Sequence, residues 1–255
     1  NMLPVSVKLL NKALACLTLI YCSHLTAIKS QAQDGNEQSA KASNSSSAPD
    51  KFESLSKERK ETLRKTLMEA ANLLNGIRVQ ESLEKIIEAE SMVSDFAPLY
   101  NLKGAAYTKV RDFDKAQSAF ERAVLLDPSA VMTKFNLTEM YFVKKNYPLA
   151  DKEFSKFLSA NKDLPEETKA LVQYKILICN LKQGKEKDAN EILKGFDYLD
   201  DYPAFYYSNA AIHFNKGEKT EASSWLKAAG KIYKPTLNNV YNDSLIEAGW
   251  LENIE

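Results

Sequence analysis

The sequence predicts an all-α chain of repeated antiparallel helix pairs, and three observations predict it. First, residue types recur at 34-residue spacing: counting from Ala97 and from Val131, a tyrosine falls at position 11, an alanine at 20 and a phenylalanine at 24. Those residues are Tyr107, Ala116 and Phe120 in one unit and Tyr141, Ala150 and Phe154 in the next. Second, small residues stand where a helix should bury large ones. In "FDKAQSAFERAVLLDP" (113–128), Ala116 and Ala123 share a helical face with Phe120. Third, Pro128 ends that run, because proline lacks an N–H and clashes with the preceding turn.

Residues 1–32 read as a signal peptide or N-terminal anchor. Lys8 and Lys12 precede the apolar stretch "ALACLTLIYCSHLTAI" (13–28), and Ser30 and Ala32 stand at the small-residue positions of a cleavage site. That stretch is interrupted by Ser23 and His24, and it is short against the roughly 20 apolar residues of a spanning helix. Residues 33–49, "QDGNEQSAKASNSSSAP", contain almost no large apolar side chain and read as a disordered tether. From 50 to 255 the chain reads as folded. Asp50, with Glu53 three residues on, is a helix-start signature after Pro49. A charged segment follows, either as one long helix or as a short cap joined to the first repeat helix.

The repeat units begin near residues 63, 97, 131, 170 and 203. In the unit from Ala97, position 4 is Tyr100, position 8 is Gly104, position 27 is Ala123 and position 32 is Pro128. Residues that small at 8 and 20 let two helix backbones approach, so the large residues at 4, 11 and 24 interlock. The unit from Leu63 keeps Ala70 at 8, Ser82 at 20 and Ala89 at 27. The unit from Val131 has Thr138 at 8 and Phe157 at 27. Extra residues around "NKDLPEETK" precede the unit from Ala170, which keeps Ala189 at 20. The unit from Pro203 keeps Ala210, Ala222 and Ala229 at 8, 20 and 27. "PTLNNVYNDSLIEAGWL" continues the phase as a last, capping helix, with Leu237, Val240, Tyr241, Leu245 and Trp250 to cover the final repeat.

This pattern resembles the tetratricopeptide repeat (TPR), W-x2-L-G-x2-Y…A-x3-F…P, with Lys103 in place of the leucine at position 7. The resemblance implies a right-handed superhelical α-solenoid of antiparallel helix pairs. It also implies that first helices line a concave groove for a peptide or amphipathic helix of another protein. Groove positions 2, 5, 9 and 12 include Phe135, Phe142, Tyr174, Ile178, Tyr207 and Phe214, with Lys109, Asn136 and Lys175 nearby. So few basic groups argue against a clamp for a partner's terminal carboxylate. The aromatic lining suits an apolar or amphipathic segment.

Other chemistry finds little support in the residue pattern. Without the three lysines of residues 1–32, the chain has 31 basic against 34 acidic residues, which disfavours nucleic-acid binding. No G-x-S-x-G, H-E-x-x-H, Walker or G-x-G-x-x-G motif is present. Cys179 stands alone in the apolar run "ILICNL" and reads as a buried thiol. His213 occupies position 11 and reads as a packing residue. Asp197, Asp200 and Asp201 could gather a hard cation, but they read better as a linker in which Asp200 or Asp201 caps the next helix. No catalytic residue, metal or cofactor is therefore assigned. The expected role is a non-enzymatic interaction scaffold, exported to the periplasm or cell envelope. A membrane-anchored subunit of a secretion or outer-membrane complex is the alternative, with membrane contact only through an uncleaved N-terminal segment. A metal-dependent hydrolase ranks last.

Overall fold

A computed structural model describes residues 50–252, which divide into two compact units, 50–137 and 138–252. The expected signal peptide and tether lie outside the described residues. Among these residues there are eleven α-helices and no strand, only an isolated parallel bridge between Asp50 and Val93. The first unit holds α1 (Lys57–Asn75), α2 (Val79–Met92), α3 (Ala97–Lys109), α4 (Phe113–Leu126) and the start of α5 (Val131–Val143). The second holds the rest of α5, then α6 (Tyr147–Ala160), α7 (Glu166–Lys182), α8 (Glu186–Leu193), α9 (Ala204–Asn215), α10 (Lys219–Ile232) and α11 (Pro235–Glu247). None of these helices is long and apolar enough to cross a membrane.

Small residues hold the pairs together. Position 20 of each unit is Ser82, Ala116, Ala150, Ala189 or Ala222, and all five are fully buried. In α3 the approach is so close that a Cβ on Gly104 would lie 2.6 Å from the Phe120 ring. The ring fills the space where a side chain would otherwise be, which is why glycine is required there. In the first pair the same approach is bridged by a hydrogen bond: buried Ser82 Oγ donates to the Ala70 carbonyl at 2.8 Å.

The corner between paired helices has a common construction. Position 15 is left-handed in every unit: Ile77, Arg111, Lys145, Gly184 and Gly217 have φ between 60° and 80°. The N–H at position 16 then reaches back to the carbonyl at position 11, at 2.8–3.0 Å in all five. This is a Schellman closure, which satisfies carbonyls that the helix end leaves without partners. Asp112 and Asn146, at position 16, also cap the second helix by accepting from Lys115 and Leu149 N–H. Only the last two corners spell the conformation as glycine. Ile77 adopts it at a steric cost, since a β-branched residue is poorly suited to positive φ.

Two starts differ from the sequence reading. Asp50 caps no helix. Ser56 does, its side chain accepting from Arg59 N–H, and a short 3-10 turn (Phe52–Ser54) precedes it. Residues 50–52 are instead pinned to the corner between α2 and α3. Ser94 N–H donates to the Asp50 carbonyl at 3.0 Å, Phe52 N–H donates to Asp95 Oδ1 at 2.6 Å, and Phe52 stacks on Phe96 at 4.3 Å. Likewise, neither Asp200 nor Asp201 caps α9. Pro203 takes that place with no side-chain cap, because Asp200 Oδ2 is turned back to accept from Asp197 N–H.

Replacing Gly104 by alanine should destabilise the chain by about 1–3 kcal/mol through overpacking against Phe120, read from the urea midpoint at unchanged m-value. Ile77→Gly should raise stability by about 0.5–1 kcal/mol in the same assay, because relief of the left-handed strain outweighs the loss of a half-exposed side chain.

Candidate functional site

Within the 138–252 unit, the groove positions of α7 are Tyr174, Ile178 and Leu181, those of α9 are Tyr207 and Phe214, and that of α5 is Phe142. All are buried, Tyr174 and Ile178 completely. The face is not an open groove, because α11 lies on it. The last helix reaches past the repeat it was expected to cover. Its first turn is tied to α10, where Asn238 Nδ2 donates to the Tyr233 carbonyl at 3.0 Å. Farther along, its side chains meet α9 and α7. This accounts for the sequence of α7, whose residues from Tyr174 to Leu181 are all buried.

Three tyrosines form the centre of this face. Tyr241 of α11 lies 5.1 Å from Tyr174 and 5.4 Å from Tyr207, ring centre to ring centre, and Tyr174 meets Tyr207 edge-on at 6.2 Å. The Tyr174 hydroxyl donates to the Tyr241 carbonyl at 3.3 Å, so α7 holds α11 by backbone as well as by ring. Burial drives the Tyr174 phenol well above its ordinary range, with Tyr207 and Tyr241 adding to the effect. Tyr207 is raised by burial and by the nearby Asp243 carboxylate. Both rings therefore stay neutral at physiological pH and act as packing surface, and Tyr174 acts as a donor as well.

A buried ion pair lies beside them. Lys175 Nζ is 3.0 Å from Glu139 Oε2 on α5 and 3.0 Å from Ser244 Oγ on α11, and it sits 4.9 Å from the centre of the Phe142 ring. The two charged side chains are only 4% and 9% exposed, so each depends on the other for its neutralisation. At the far end of α11, Lys182 Nζ lies 3.9 Å from the centre of the Trp250 ring, and burial lowers the affinity of that lysine for its proton. The Tyr147 hydroxyl is pushed up to about 12, first by burial and then by the Cys179 thiol and the Glu247 carboxylate.

The remaining predicted residues are placed separately. In the 50–137 unit Phe135 and Asn136 are buried, Asn136 Nδ2 donates to Asn101 Oδ1 at 3.1 Å, and Lys109 is half-buried. In the same unit a cleft of about 380 Å³ between α3 and α4 is lined by Tyr100, Tyr107, Lys103, Lys115 and Arg122. Its cations are already engaged: Lys103 with Glu90, Lys115 with Asp112, and Arg122 with the Ser94 carbonyl. Cys179 is fully buried, and burial raises its thiol far above the usual range. His213 is not a fully packed residue; it is half-buried, with Nδ1 2.6 Å from Glu218 Oε2. Two carboxylates of the 197–201 run accept from backbone N–H groups of their own turn, and among the described residues no three His, Cys, Asp or Glu side chains gather as a metal site.

Sequence reasoning missed Glu139 and Ser244. Glu139 occupies groove position 9 of its unit, where an acid beside the aromatic positions was the available signal. Ser244 gave none.

Lys175→Ala should cost about 3–5 kcal/mol in urea unfolding, because it strands the buried Glu139 carboxylate. Lys175→Met combined with Glu139→Met should recover most of that loss.

No protein-family model matches the chain, and no curated protein matches it in sequence. Solved structures match its fold. A tetratricopeptide repeat protein from Parabacteroides merdae aligns with TM-score 0.57 and 16% identity, over 72% of this chain and 71% of that one. The pilF protein of Pseudomonas aeruginosa aligns with TM-score 0.53 and 15% identity, over 76% and 90%. A putative kinesin light chain of Podosopora anserina, with nearly identical TPR-like repeats, aligns with TM-score 0.51 and 17% identity, over 67% and 94%. At such identities the likeness establishes the fold, an all-α TPR-like repeat of antiparallel helix pairs.

Proposed function

We propose that this chain is a non-enzymatic protein-interaction scaffold that docks a helical segment of a partner on the inner faces of its first helices. The observation that carries this reading is α11 itself. A helix lies across α7 and α9 with Tyr241 between Tyr174 and Tyr207, so the shape and chemistry of this face suit a helix. Preformed helices offer such a surface with little reordering of the receptor. The repeat fold favours the same use, since stacked pairs present long inner surfaces.

The leader-like pattern of residues 1–32 supports export to the periplasm or cell envelope. An uncleaved anchor would make the chain a membrane-attached subunit of a larger assembly, and N-terminal mass spectrometry separates the two: cleavage gives a mature start near Gln33. The hydrolase reading has the least support, because Asp197 and Asp200 are committed to local turn bonds.

A photo-crosslinking residue at Lys182, beside the end of α11, should capture a discrete partner protein in the native host. The same residue at exposed Leu125 on α4 should not. Absence of any adduct at Lys182, or identical adducts at both positions, would overturn the docking reading.

A further inference from the structure

The helix α11 starts at Pro235 after an extended Lys234 and, like α2, α3 and α7, has no side-chain cap. Its buried face is half polar, with Asn238, Asp243 and Ser244 among Val240, Tyr241 and Leu245. Two acceptors on that helix, Asn238 Oδ1 and Asn242 Oδ1, are buried with no hydrogen-bond partner, and so is Glu139 Oε1, in the ion pair that Ser244 touches. Buried acceptors left unsatisfied cost stability, because water would have bonded them. At position 20 the paired helices meet instead through alanine or a satisfied serine, and α9, beneath α11, has one such orphan, Ser208 Oγ, against the two acceptors of α11. Hence α11 opens more easily than the helices it covers.

Two contacts of the face beneath it do not involve α11. Tyr174 and Tyr207 meet each other directly, and the Lys175–Glu139 pair joins α7 to α5.

We propose that α11 is a displaceable resident ligand of the α7–α9 face, which a partner replaces with its own amphipathic helix. The partner helix carries an aromatic residue, an amide residue three positions later and a leucine four positions later. The aromatic and leucine follow Tyr241 and Leu245. The amide follows from the ion pair: at the position of Ser244 it offers an acceptor to Lys175 and donors to the unsatisfied Glu139 oxygen. A second carboxylate there would face Glu139 with like charge. This deepens the scaffold reading and rests on it.

The test uses the full chain and a fluorescein-labelled peptide of residues 235–251. A chain carrying Tyr241→Ala and Leu245→Ala, whose resident helix is weakened, should bind the peptide at least tenfold more tightly than the wild-type chain by anisotropy. Ser244→Gln in the peptide should tighten binding about 2- to 10-fold, and Tyr241→Ala in the peptide should abolish it. Hydrogen exchange on the wild-type chain decides the matter even if the double variant fails to fold. Unlabelled peptide should speed exchange across 235–247 and leave α7 protected. The proposal is overturned if the peptide leaves α11 exchange unchanged, or if α11 exchanges only with global unfolding. A partner crosslinked at Lys182 together with an immovable α11 would sink the displacement and spare the docking reading.

Discussion

Everything in this fold depends on how closely two helix backbones approach within a pair. The approach is set at position 20, where five residues no larger than serine are completely buried, and at Gly104, where the Phe120 ring occupies the volume of a missing Cβ. Once the backbones are that near, aromatic and aliphatic residues a turn away have no choice but to interlock. Dispersion and burial then stabilise the pair. The corners are a consequence as well: helices so close can be joined only by a tight reversal, and one left-handed residue provides it in every unit.

The same logic explains the second level of packing. Tyr174 and Tyr207, at position 5 of two different pairs, meet each other in a surface that neither pair closes by itself, while Phe142 at position 12 meets Phe154 of its own pair. In the 138–252 unit that surface is aromatic around Tyr174 and Tyr207, with one buried charge pair behind it. Such a surface is costly to leave in water, and α11 covers it. The cover is chemically mixed, which is why its buried face includes acceptors that nothing satisfies.

Much of the fold was legible in the sequence, for a physical reason. Spacing and residue size encode backbone proximity directly, so Gly104, Ala116 and Ala150 announced the pairs. Residues at 5 and 12 of the first helices were assigned to a groove from register alone. In the 138–252 unit they are buried, Tyr174 and Tyr207 beneath α11, and register cannot tell an open face from a covered one. The path of α11 is set by Tyr241, Ser244 and their partners on α7, contacts between residues 67 and 69 positions apart. No local pattern encodes such distances. The corners were hidden for the opposite reason: Ile77, Arg111 and Lys145 adopt a conformation their residue types do not advertise, because packing imposes it. Asp50 misled because its carboxylate pairs with Arg59 while its carbonyl binds Ser94.

That attachment has a mechanical meaning. Asp50 and Phe52 are gripped by the Ser94 amide, the Asp95 carboxylate and the Phe96 ring before α1 begins. A pull applied at Asp50 is thus delivered to the junction between the first two hairpins. It must shear several bonds together before it can peel α1 away turn by turn.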